Sequence, residues 1–65
     1  MDKSLTDREL QVLKLIAMGK SNTEIAKELF ISLHTVKKHV SSVLSKMSVE
    51  DRVQVAVKAV RKGLL

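Results

Sequence analysis

The stretch ISLHTVKKHVSSVLSKM, residues 31–47, decides how the whole chain is read. Its apolar residues Leu33, Val36, Val40, Val43, Leu44 and Met47 recur three and four apart. Wrapped at about 100° per residue, they fall within an arc of roughly 100°. That is one face of an amphipathic helix, predicted from Leu33 to Lys46 or Met47. Ser32 stands just before it as N-cap, its hydroxyl placed to accept from an amide near His34 or Thr35. The opposite face carries His34, Lys38, Ser41, Ser42 and Ser45, with Lys37 near one edge and Thr35, His39 and Lys46 near the other. A generic solvent face uses Glu freely, because Glu favours helix and solubility. Here no acid occurs from Ile31 through Val49, and serines stand where Glu, Gln or Lys would be better helix formers.

Both departures suit a helix that lies in the major groove of a nucleic-acid duplex. An acid would repel phosphates, lysines can donate to phosphates or to guanine acceptors, and short serines let the helix axis approach the bases. The free amides at the helix amino end would point toward phosphate.

Upstream, Ser21 and Glu24 have the spacing of a capping box and open a short helix predicted over Asn22–Leu29, with Ile25, Ala26 and Leu29 on its apolar face. Only Phe30, Ile31 and Ser32 separate it from the next helix. Short helix, tight turn and longer polar-faced helix is the helix-turn-helix order, although this turn lacks the Gly often used there. Further back, Thr6 and Glu9 repeat the capping-box spacing, with Leu5 in the position of a hydrophobic staple. A first helix from about Asp7 to Met18 follows, its face built from Leu10, Leu13, Ile16 and Ala17 and its end marked by Gly19. Downstream, a last helix should begin near Asp51 and close with Arg61 and Lys62 before Gly63. Its apolar residues Val53, Val55, Ala56, Val57, Ala59 and Val60 spread over roughly 200°, wider than one core-facing stripe requires. The expected fold is all-α, four short helices with a central helix-turn-helix made by the second and third, in one domain over residues 1–65.

Composition narrows the function. The chain of 65 residues has no Cys, no Pro and a single Phe, so neither disulfides nor zinc thiolates supply stability, and packed helices must. No apolar run reaches the length of a membrane span, and the opening MDKSL lacks the apolar segment of a signal peptide. A cytoplasmic, soluble protein is expected. The net charge of +5 is unevenly placed: residues 1–30 hold five basic and five acidic side chains, residues 31–65 seven basic and two acidic. The whole excess lies in the half that carries the acid-free face, as expected for a polyanion partner. An enzyme is disfavoured, because no Cys, no acidic pair on an exposed face and no phosphate-cradling Gly loop provide a site. His34 and His39 sit on opposite edges of their helix and make no metal pair. Neither catalytic residues, nor a metal, nor a cofactor are expected. RNA binding is disfavoured, because the exposed stacking aromatics common in single-strand recognition are missing. A protein-interaction module using the last helix is the competing class.

The residues also resemble a known family. Leu5, Thr6, Arg8 and Glu9, then Gly19, then Ser21, Asn22, Glu24, Ile25 and Ala26, then Ser32, Thr35, Val36, Lys37 and His39, and finally Lys46, Val49 and Arg52 are similar to the run of the LuxR-type (GerE-like) helix-turn-helix domain. That domain is the DNA-binding output module of bacterial response regulators and quorum-sensing transcription factors, and the resemblance spans Leu5 to Leu65. It implies binding to double-stranded DNA as a homodimer, with the third helix in the major groove. Base-reading and groove-facing positions fall on His34, Lys37, Lys38 and Ser41, and phosphate contacts near Asn22, Thr23, Thr35 and Lys46. The self-association surface falls on Val53, Val57 and Val60. Glu9 and Arg52, both in the recurrent set yet outside the groove, are expected to pair. A covalently linked receiver or ligand-binding domain is implied for the parent protein, unless this is a small stand-alone member. Departures are Ser42 for a frequent Asn, Met47 and Ser48 for a common Leu-Gly pair, and Val53 and Val55 for a frequent Thr and Ala.

Overall fold

The computed structural model describes residues 4–65 and contains four helices, α1 (Asp7–Ala17), α2 (Asn22–Leu29), α3 (Leu33–Lys46) and α4 (Arg52–Arg61), with no strand among the described residues. Met1, Asp2 and Lys3, included in the expected domain 1–65, lie outside them.

Every helix starts at a side chain that satisfies an otherwise orphaned backbone N–H. The Thr6 hydroxyl accepts from the Glu9 amide at 3.1 Å while the Glu9 carboxylate accepts from the Thr6 amide at 2.9 Å. Ser21 and Glu24 repeat this reciprocal pair at 3.1 and 2.8 Å, so both expected capping boxes form. Ser32 accepts from the Thr35 amide at 3.0 Å, and Asp51 from that of Gln54 at 2.9 Å. Each such cap is worth about 1 kcal/mol, which matters in a domain this small.

The carboxyl ends are alike too. After α1, Gly19 and Lys20 donate back to the carbonyls of Ile16 and Leu15; Ser48 and Val49 do the same after α3, and Gly63 and Leu64 after α4. This closure needs a left-handed residue at its turning point. Gly19 and Gly63 supply it freely at φ 85° and 71°, whereas Ser48 is held at φ 57° and Phe30, after α2, also at 57°. The tight turn that lacked a Gly therefore places an aromatic residue in the left-handed region. The Ser48 turn is strained for the same reason.

Packing follows the apolar stripes. Val12, Leu13 and Ile16 of α1, Ile25 of α2, Val36, Val40 and Val43 of α3, Met47, and Val55 and Ala59 of α4 form one buried cluster. Fully burying a Val, Leu or Ile side chain contributes about 1.5–3 kcal/mol, so these residues carry the fold. α1 lies against both α3 and α4, and α2 packs on α3. Val36, Val40 and Val43 face this core, which leaves the other side of α3 to solvent.

Candidate nucleic-acid interface

The outward side of α3 is the acid-free face expected from the sequence. His34, Lys37, Lys38, Ser41 and Ser45 are all exposed, and nothing else in the described chain covers them. The amino end is fixed by Ser32, whose hydroxyl also donates to Thr35 Oγ1 at 2.9 Å, holding half-buried Thr35 at the border of the face. Thr23, in the first turn of α2, is exposed, and Asn22 beside it is half-buried.

The other edge of α3 is used differently. Glu9, only 6% exposed, is the one buried charged residue among those described. Its Oε1 accepts from Lys46 Nζ at 2.7 Å, and its Oε2 accepts from the Ser42 hydroxyl. Ser42 and Lys46 are one helical turn apart, so both donors rise from one edge of α3 onto the amino end of α1. Burial alone would raise the Glu9 pKa. The hydrogen bonds from Lys46, Ser42 and the Thr6 amide, with the Lys46 charge, outweigh it and bring the carboxyl from its ordinary 4.5 to about 2. On the exposed Glu24, the Ser21 amide and hydroxyl lower the carboxyl as well.

The expected pairing of Glu9 with Arg52 is therefore corrected: Lys46 takes that place. Arg52, at the start of α4, faces the turn after α1 instead. Its Nη1 donates to Asn22 Oδ1 at 2.6 Å and its Nη2 to the Lys20 carbonyl at 2.9 Å. Lys58 of α4, which the sequence did not single out, donates to the Met47 carbonyl at 2.6 Å and so caps the end of α3. A cation in the last turns facing a helix carboxyl end is the only sequence signal for it, and that signal does not say which helix it serves.

Ser42 and Lys46 thus have side chains committed to Glu9, and Asn22 to Arg52, while His34, Lys37, Lys38, Ser41 and Thr23 are unobstructed. On α4, Val55 and Ala59 are buried, but Val53, Val57 and Val60 are 68%, 39% and 65% exposed. The wide apolar arc splits into a covered half and an uncovered half, with Ala56 half-buried between them. Among the described residues, no helix is long and apolar enough to cross a membrane, and no cluster of acidic, His or Cys side chains is arranged to hold a metal ion.

Residues 3–59 match the family described as bacterial regulatory proteins, luxR family. The chain belongs to this family. The domain is 56% identical over 63 residues to the transcriptional regulatory protein LiaR of Bacillus subtilis, covering 97% of this chain and 30% of LiaR. It is 49% identical over 61 residues to the response regulator protein VraR of Staphylococcus aureus, covering 94% of this chain and 29% of VraR. It superposes on the response regulator ChrA of a heme-sensing two-component system with a TM-score of 0.93 and 34% identity, covering 100% of this chain and 32% of ChrA. This luxR-family domain therefore spans about a third of the length of such relatives, and its four helices have the arrangement found in a response regulator.

Proposed function

We propose that this domain recognises double-stranded DNA sequence-specifically as the effector part of a bacterial transcriptional regulator, acting in the cytoplasm by binding and not by catalysis. The observation that carries the reading is the outward face of α3, basic and free of acids, standing opposite a stripe whose Val36, Val40, Val43 and Met47 are buried in the core, with only Leu33 at its amino end exposed. α3 lies in the major groove, with His34, Lys37, Lys38 and Ser41 toward base edges. Phosphates are met by Asn22, Thr23, Thr35 and Lys46, the last using the ammonium proton taken by neither Glu9 nor the Ser4 carbonyl. Two copies pair through Val53, Val57 and Val60 and read half-sites about one helical turn apart. VraR and ChrA are response regulators by name, which supports a covalently linked receiver domain in the parent protein.

The test is selection from random duplexes, followed by binding of the recovered duplex and a scrambled one by the parent chain and Lys37→Ala. The reading expects the recovered duplex to bind at least about a thousandfold tighter than the scrambled one, the lower end of the range separating specific from non-specific binding. Equal affinity for the two rejects sequence-specific recognition and favours a module that uses α4 to bind protein.

A further inference from the structure

Arg52 holds a carboxamide that stands at the border of the proposed DNA surface. It is the first residue of α4, half-buried, and both terminal nitrogens of its guanidinium are engaged, Nη1 on Asn22 Oδ1 at 2.6 Å and Nη2 on the Lys20 carbonyl at 2.9 Å. A guanidinium only donates, so the amide group of Asn22 must turn its oxygen to Arg52 and its NH2 away from it. Without this partner the amide would rotate and present either end, and an outward oxygen repels a phosphate where an outward NH2 binds one.

Resting on the DNA reading above, we infer that Arg52 is a positioning residue for the DNA contact of α2: it fixes the Asn22 amide with its NH2 presented to a phosphate oxygen. Ser21 and Glu24 satisfy each other through the capping box, so the presented NH2, the exposed Thr23 hydroxyl and the backbone amides of Asn22 and Thr23 remain as donors on this side. The bond to the Lys20 carbonyl ties the guanidinium to the turn between α1 and α2, which keeps its plane, and hence that of the amide, from swinging. Arg52 commits two of its five N–H donors to these acceptors and acts on DNA through Asn22.

The experiment is a double-mutant cycle on the recovered duplex, using the parent, Arg52→Met, Asn22→Ala and the pair, with a thermal melt of each protein. Each single variant should lose about tenfold in affinity, the scale of one hydrogen bond to a charged group, and the pair should lose no more than the weaker single variant. Losses that multiply, or an Arg52→Met protein that binds like the parent, overturn the inference. Asn22→Asp keeps the tie to Arg52 but removes the NH2, so it should melt no lower than the parent and still bind the duplex more weakly; parental affinity in this variant overturns the inference even if Arg52→Met fails to fold. A parent that binds no duplex overturns this inference together with the reading it rests on, whereas multiplying losses in a parent that binds overturn the inference alone.

Discussion

Lys46 Nζ lies 2.7 Å from Oε1 of Glu9, joining the last residue of α3 to the first turn of α1 across thirty-seven positions of sequence. The same carboxylate takes the Ser42 hydroxyl and the Thr6 amide, so one side chain caps α1 and anchors the edge of α3 that carries Ser42 and Lys46. The roll of α3 about its axis, and with it the direction of Lys38 and Ser41, is held by this contact as well as by the core.

Glu9 gives the fold a pH dependence of defined sign. Its carboxyl is lowered from 4.5 to about 2, so its contribution is fully present above the unfolded value and is lost as the pH falls through the folded one. Thermal melts of the parent should drop between those limits, and Glu9→Gln should flatten that part of the curve. At neutral pH the substitution should cost about 1–3 kcal/mol, because a buried set of donors loses its charged acceptor. A parental pH profile in Glu9→Gln would show that another group governs acid stability.

Phe30 is 94% exposed and held at φ 57°, so its ring contributes no burial while its backbone sits in a region that costs a non-Gly residue about 1–2 kcal/mol. Phe30→Gly should raise stability by about 0.5–1 kcal/mol after the larger entropy of the unfolded Gly is subtracted. Ser48→Gly should act in the same direction, since Ser48 is held at the same φ. Chemical denaturation of the two variants and their combination measures this, and a lower midpoint in either would mean that its side chain stabilises the fold.

Much of this architecture was legible because it is local. Thr6 with Glu9, Ser21 with Glu24 and Ser32 announce three helix starts by spacing alone, and the three- and four-residue recurrence of apolar residues announces most of the buried faces, although on α1 it takes in Ala17, which is exposed, and passes over Val12, which is fully buried, and on α3 it takes in Leu33, which is exposed. What the sequence left open is what spacing does not encode. Nothing in a linear reading says whether a carboxylate at position 9 meets Arg52 or Lys46, because that choice depends on how α3 and α4 cross α1. The left-handed Phe30 was hidden likewise, since an aromatic residue gives no turn signal and is placed there by the tight connection into α3. For the candidate site, the outward face was readable from the wheel, whereas the engagement of Asn22 and Lys46 by neighbouring helices appeared only in three dimensions.

The uncovered valines of α4 make self-association testable. Val57→Glu places a charge among Val53, Val57 and Val60 without entering the buried cluster, so the monomer should keep its melting temperature while association weakens. Sedimentation across a concentration series, alongside cooperative binding to a two-half-site duplex, checks it. Unchanged association and unchanged cooperativity would remove α4 from the dimer account.

Phosphate contacts set the salt dependence. Lys37→Ala and Lys38→Ala each remove one cation from the exposed face, and each that touches phosphate should reduce the magnitude of the log–log salt slope by about 0.9. A lysine that reads a base should instead relax preference at one position at a cost of about 1–3 kcal/mol for a good bidentate contact. Titrations from low to moderate salt on recovered and singly altered duplexes separate the two roles.

The most direct measurement of the central claim is a residue-resolved NMR titration of the 65-residue chain with the recovered duplex. The account predicts that the largest amide shifts fall on His34, Lys37, Lys38 and Ser41 and on the first turn of α2, with Val55 and Ala59 little changed. Shifts confined to α4, with the outward face of α3 unmoved at saturation, would contradict it.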